Sequence, residues 1–355
     1  MLVKLFIYAP SVYQGGGLRQ LLDLLSSKNL HPDTCLILNS KVPKENIPDK
    51  YSHIIWANSG YMARFISDIN LFLKVDKGSV VLCFGNLPPL LPLTNCYVAV
   101  FLQNRFLVDE LPKVKFSTKF KIKCFLLKRI FYLLSSRINE VVVQSESMNL
   151  LLNKFPHKFF IRVAPFMKPI ILTSSSIPVK LHSSDTKSFI YPASGDPHKN
   201  HQLLFTAWLE LAKAKIFPIL YVTLPVDHFE NLMHKVFGRG LAGIDVRIYN
   251  LGNLSHEDLI SIYTQIDAMI FPSLFESFGL PLVEARQLGI PILSSELDYV
   301  HDVCTPAFTF DPCSPRSIAR AVKKILRIVD HKSQIFSEDD FILELQKQAE
   351  DVGLK

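Results

Sequence analysis

Two doubly wound α/β domains facing each other across a crevice are predicted by three observations. The chain has 355 residues, more than one core usually serves at ~150 residues per domain. Apolar residues make up 48% of it, enough to fill two cores. Short apolar runs alternate with helical patterns almost throughout, and several runs are continuous, as in parallel strands buried on both faces.

The first half reads as "KLFIYA", a helix from Gly17 to about Ser27, "TCLIL", "SHIIWA", a helix over Tyr61–Leu73, "SVVLCFG", "YVAVFLQ", "EVVVQS" and a helix over Glu146–Lys154. The opening run Leu5–Ala9 is too short for a signal-peptide core and lacks a small-residue cleavage site, so it reads as a first strand. A serine-rich stretch, "TSSSIPVKLHSSDTKS", breaks the rhythm and reads as a linker at 173–188 between an N-domain (1–172) and a C-domain (189–330). The alternation then resumes with "FIYPA", a helix from Pro197, "PILYVTL", a helix near His228–Val236, "VRIYNLG", a helix over His256–Ile266, "AMIFPS", a helix from Pro281, "PILSS" and a helix over Pro315–Val329. The tail, 331–355, carries an amphipathic helix over Glu338–Gly353 that can pack back on either domain. Such domains bind ligands at the carboxyl ends of their strands.

No run approaches the ~18 apolar residues of a membrane-spanning helix, which predicts a cytoplasmic protein. The six cysteines show no paired spacing and read as reduced structural thiols, with neither a zinc site nor a disulfide framework. The net charge of +7 is uneven: between Glu110 and Glu140 there is no acid, while eight lysines and arginines from Lys113 to Arg137 crowd among large apolar residues. Such a surface suits an anionic bilayer, at about 1 kcal/mol per basic residue near it; the plainer alternative is a solvated face beside a core helix. No nucleic-acid motif accompanies it.

Chemistry concentrates in "FPSLFESFGLPLVEA", Phe271–Ala285. Pro281 suits a first helical turn, so the backbone N–H groups of Phe278, Gly279 and Leu280 fall at a helix N-terminus, where Gly279 lets a ligand approach closely. Helical side chains tilt back toward the N-terminus, so Glu276 and Glu284 can both face the crevice and accept bonds from sugar hydroxyls. Helix-dipole stabilisation alone accounts for Glu284 but not for Glu276 with Gly279 and Pro281. In "PASGDPHKNHQ", Asp196 reads as an N-cap and Pro197 as the first helical residue. Lys199 then lies in a first turn, where a cation makes sense beside a bound anion and otherwise reads as a solvated surface lysine. Gly15, Gly16 and Gly17 link the first strand to the first helix, as a phosphate-approaching turn requires.

"FPSLFESFGLPLVEA" resembles the signature of retaining glycosyltransferases of the GT-B fold (glycosyltransferase family 4), with two glutamates separated by seven residues around an FGLP core. The resemblance implies that Glu276 contacts the donor sugar, that Glu284 binds the nucleotide ribose, and that the Phe278–Leu280 amides meet the sugar. It also implies that Lys199 grips the donor diphosphate and that Gly16 and Gly17 close over it. The family's usual arginine about five residues before Lys199 is absent, leaving Arg19, Arg105 and Arg247 as candidates. Its N-domain histidine is replaced near "VFLQNRF", where Gln103, Asn104 and Arg105 can contact acceptor or donor or simply end the strand.

The resemblance predicts a hexosyltransferase moving a sugar from a UDP- or GDP-linked donor to a lipid-linked glycan in surface polysaccharide (O-antigen, lipopolysaccharide or capsule) synthesis. It implies front-face attack with retention; no DxD-like motif sits at a strand end, so no metal or other cofactor is expected. The basic surface Lys113–Arg137 would hold the enzyme at the inner face of the plasma membrane. Alternatives are a non-catalytic homologue binding a partner enzyme or glycan, and another activity on the same fold, such as a phosphorylase or epimerase.

Overall fold

The computed structural model describes residues 3–154, 156, 159–172, 181, 186–238, 245–328, 341–343 and 346–347. Most of the serine-rich linker and of the tail helix lies outside these residues.

The N-terminal sheet is formed by β1 (Leu5–Ala9), β2 (Cys35–Asn39), β3 (Ile54–Ala57), β4 (Val80–Cys83), β5 (Tyr97–Phe101), β6 (Glu140–Val143) and β7 (Phe160–Val163). Their order is β3-β2-β1-β4-β5-β6-β7, with every pairing parallel. Helices α1 (Gly15–Leu25), α2 (Tyr61–Lys74), α3 (Thr118–Leu134) and α4 (Glu146–Leu152) flank it. The continuous runs behave as expected: β2 is buried at every position, and Ile7 and Tyr8 of β1 feed separate cores on opposite faces of the sheet.

The C-terminal sheet takes β8 (Ser188–Tyr191), β9 (Ile219–Val222), β10 (Ile248–Asn250), β11 (Ala268–Phe271), β12 (Ile292–Ser295) and β13 (Phe308–Phe310), in the order β10-β9-β8-β11-β12-β13 and again all parallel. Helices α5 (His201–Lys213), α6 (Val226–Phe237), α7 (His256–Tyr263), α8 (Leu280–Gln287), α9 (Asp298–His301) and α10 (Pro315–Ile325) pack around one continuous core. In both sheets the strand order reverses beside the first strand, between β1 and β4 and between β8 and β11. That reversal parts the connecting helices and opens a crevice at the strand ends.

Four features differ from the sequence expectation. Strands β7 ("FIRV") and β13 ("FTF") occupy sheet edges, where short and half-exposed segments carry little apolar signal. Thr118–Leu134, legible only as a basic apolar surface, is a single helix that turns Cys124, Phe131 and Leu134 inward. Helix α1 starts at Gly15, so the glycine triplet forms its first turn. Lys199 is not in the first turn of α5: Pro197–Lys199 is a separate 3-10 turn, ended by Asn200 in the left-handed region (φ 64°).

Candidate active site

The segments after β8 and β11 lie side by side at the C-domain reversal point, and they bring together the two residues with the strongest sequence signal. Lys199 Nζ donates to Glu276 Oε1 at 2.6 Å, across 77 positions of sequence. The same oxygen accepts from Ser273 Oγ at 2.6 Å. Asn200 explains the precision of this pairing. In its left-handed conformation, its amide donates to the carbonyls of Pro272 and Pro312, tying the ends of β8, β11 and β13 to one another. Leu274 N–H adds a backbone bond to the His198 carbonyl at 2.8 Å. Both charged side chains are mostly buried, with Lys199 18% and Glu276 12% exposed.

Three residues beyond Glu276, the chain turns through Gly279 (φ 85°), a conformation open to glycine and strained for other residues, and enters α8 with Pro281 in its first turn. A helix start leaves its first N–H groups without intrahelical partners. Directly opposite is the first turn of α1: a methyl group on Gly16 would come within 2.8 Å of Leu280 Cδ1, and one on Gly17 within 3.1 Å of Gln103 Oε1. The two domains touch there, and a side chain at 16 would require the end of Leu280 to move aside.

Glu284 sits differently from the expectation. Its carboxylate is buried, 5% exposed, and turned between α8 and α7, where Oε1 meets His256 Nε2 at 3.0 Å and Oε2 accepts from Tyr263 Oη at 3.0 Å. A ligand reaching it would share it with His256, the more exposed of the two. The sequence singled out neither His256 nor Tyr263. An acid one turn into a helix does, however, call for partners when it is buried.

A cavity of about 320 Å³ lies between the domains, lined by Gly17, Gln103, Asn104, Arg105, His198 and Glu276 among others. The three polar residues after β5 have distinct jobs. Gln103 donates to the side chain of Gln20 on α1. Asn104 caps the short turn Arg105–Leu107 by accepting from Phe106 N–H at 3.1 Å. Both of their backbone N–H groups are held by Asn86 Oδ1. Arg105 alone reaches across, with Nη1 on the Glu276 carbonyl at 3.2 Å and the guanidinium 4.6 Å above the Phe275 ring.

The domains are clasped by aromatic rings. Phe106 stacks on Phe275 at 4.7 Å and meets His198, Phe116 and Phe120 edge-on. Burial, and then the neighbouring Lys199 charge, holds the His198 imidazole below its usual range, so it stays neutral at neutral pH. Ser145 Oγ donates to the Ser277 carbonyl at 2.8 Å, and Ser147 N–H donates to Asp302 at 2.8 Å. Phe116 and Phe120 belong to the approach to α3 and to α3 itself, so the basic helix is part of this clasp.

On its far side α3 exposes Ile122, Phe125, Leu126 and Leu133 (53–71%) among exposed Lys119, Lys121, Lys123 and Arg129. A second apolar face, not apparent in the sequence, lies on α2: Met62, Phe65, Ile66 and Leu73. The loop after β4 joins the two, since Arg64 donates to the Leu87 and Pro88 carbonyls and Arg137 to that of Leu90. Among the described residues no helix is long and apolar enough to cross a membrane, and no group of three or more His, Cys, Asp or Glu side chains is placed to hold a metal ion.

Comparison with known proteins bears on the C-domain. Residues 174–337 match the family described as Glycosyl transferases group 1. The serotype-specific mannosyltransferase WbdA of Escherichia coli is 28% identical over 165 residues, covering 46% of this chain and 20% of that protein. The O-antigen chain mannosyltransferase RfbU of Salmonella typhimurium is 31% identical over 81 residues, covering 22% of this chain and 23% of that protein. The chain thus spans about a fifth of the length of the curated relatives it matches. Among solved structures, sucrose-phosphate synthase from Thermosynechococcus elongatus superposes with a TM-score of 0.69 at 16% identity, covering 92% of this chain and 90% of that one. Anabaena Alr3699/HepE, solved with UDP and glucose, gives 0.65 at 15% identity with the same coverage. These likenesses establish the GT-B fold: two facing Rossmann-like domains.

Proposed function

We propose that this chain, whose residues 174–337 match the glycosyl transferases group 1 family, is a hexosyltransferase that moves a sugar from a nucleotide diphosphate sugar to a glycan of surface polysaccharide synthesis. The observation that carries this reading is the Lys199–Glu276 pair at the C-domain reversal point, facing the glycine turn of α1 across the cavity. A donor diphosphate takes Lys199 from Glu276, and the helix start after Gly279 adds N–H groups and a positive dipole end to the same anion. Glu276, relieved of the ammonium, accepts from the sugar hydroxyls, and Glu284, steadied by His256 and Tyr263, holds the ribose.

The protein supplies positioning and charge. Glu276, the carboxylate at the cavity, already receives Lys199 and Ser273, so we assign it to sugar binding. Retention then follows from attack on the donor's own leaving-group face, with the departing phosphate taking the acceptor's proton. No metal is needed in this scheme. Mannosyl donors are the first to try, because WbdA and RfbU are mannosyltransferases by name. The acceptor in this reading is lipid-linked and is presented at the inner face of the plasma membrane, where α2 and α3 turn their apolar faces to the bilayer and the basic residues of Lys113–Arg137 meet anionic headgroups.

Calorimetric titration with UDP and with GDP, followed by transfer assays with the sugar donors of whichever binds, tests the proposal. Selective binding with transfer supports it. Binding without transfer to any glycan identifies a non-catalytic homologue, and failure of both nucleotides to bind overturns the donor site.

A further inference from the structure

The donor site as described is short of positive charge. Each phosphate of a nucleotide sugar carries a negative charge and the departing nucleoside diphosphate carries more, whereas Lys199 arrives already paired with Glu276. His198 is buried beside Lys199 and held neutral. Three arginines are open as the missing cation, and the structure separates them. Arg247 precedes β10, at the amino ends of the strands, and is occupied by Asp245, Thr186 and the face of Phe217. Arg19 lies on α1 and pairs with Asp23 one turn along that helix. Arg105 lines the cavity beside Glu276 and reaches the C-domain.

We propose, building on the donor site inferred above, that Arg105 is the second diphosphate-binding cation, supplied by the N-domain opposite Lys199. Asp109 fixes its orientation by accepting from Nε at 2.7 Å, and the Phe275 ring supports its plane. A guanidinium has more N–H donors than these contacts and the Glu276 carbonyl use, and its planar fork matches two phosphate oxygens. The arrangement has a consequence that a cation within the C-domain would not have. With Lys199 on one domain and Arg105 on the other, the diphosphate is neutralised only when the domains are together, so the leaving group itself rewards closure.

The test compares nucleoside diphosphates with monophosphates by calorimetry, using the full chain and UDP, UMP, GDP and GMP. Arg105→Ala should weaken the bound diphosphate by about 10- to 100-fold, the range for lost charge-assisted hydrogen bonds, and change the monophosphate by less than about twofold. Arg105→Lys, which keeps the charge and loses the fork, should fall between. Equal loss for diphosphate and monophosphate would assign Arg105 to domain packing, and no loss for either would remove it from the site; each overturns the inference while leaving the function standing. A wild-type chain that binds no diphosphate at all overturns both.

Discussion

Removing either member of the Lys199–Glu276 pair should damage folding and function together, whereas removing both should restore folding alone. The charged atoms are 2.6 Å apart, and the side chains are 18% and 12% exposed. At an effective dielectric of ~20, unit charges ~4 Å apart interact by about 4 kcal/mol; solvent reaching both groups reduces the net coupling to about 2 kcal/mol. Lys199→Ala leaves Glu276 as a nearly buried carboxylate with Ser273 as its remaining side-chain donor, and Glu276→Gln leaves the ammonium without its counter-ion. Each single variant should therefore lower the C-domain melting temperature by about 4–8 °C, taking ~2 kcal/mol and the usual entropy of a domain this size. The double variant should recover most of that loss, because neither charge is then stranded. Differential scanning calorimetry of the four proteins gives the coupling, and titration with the preferred nucleoside diphosphate gives the function. All three variants should bind it at least about tenfold more weakly. Strictly additive melting shifts would refute the coupling, and a double variant that keeps wild-type affinity would refute the site.

Three further predictions concern other parts of the molecule. His256→Ala unfastens Glu284 Oε1 and should weaken UMP or GMP binding about as much as UDP or GDP binding, by roughly three- to tenfold, the opposite pattern to Arg105; unchanged monophosphate binding would take Glu284 out of the ribose site. His201 is buried with its pKa lowered from 6.5 to about 4 by desolvation. The unfolded chain therefore takes up the proton first as pH falls, so this histidine's contribution is complete above pH 6.5 and is lost toward pH 4, by about 3 kcal/mol. Urea midpoints measured between pH 7 and 4.5 should fall more steeply for wild type than for His201→Gln, and parallel slopes would refute the assignment. Replacing Phe125, Leu126 and Leu133 by serine should reduce sedimentation with anionic phosphatidylglycerol vesicles at least about fivefold while leaving nucleotide affinity intact; undiminished sedimentation would show that α3 is not the docking face.

The parts of this protein that the sequence made legible are those in which local pattern and tertiary role coincide. Continuous apolar runs became parallel strands, and "FPSLFESFGLPLVEA" showed its turn, its helix start and both of its acids because all are adjacent in the chain. What stayed hidden depends on residues far apart. Nothing in its own segment marks Asn200, whose amide bridges Pro272 and Pro312. The expected helical first turn around Lys199 became a separate 3-10 turn for the same reason. Glu284 seemed free to face the crevice because nothing in its own segment announces His256 and Tyr263. The edge strands β7 and β13 were missed since short strands paired on one side alone need little apolar sequence.

The way the N-domain reaches the loop after β11 bears on how freely such halves can be recombined. Arg105 and Ser145 grip the carbonyls of Glu276 and Ser277, so what they read is the path of the main chain. A chimera joining this C-domain to another N-domain keeps those carbonyls and therefore has to supply the groups that meet them, donors at the places of Arg105 and Ser145 and a ring where Phe106 stacks on Phe275, with room for Leu280 beside its first helical turn. In the function proposed above, a change of N-domain therefore alters the acceptor side and replaces Arg105 at the donor diphosphate in the same step.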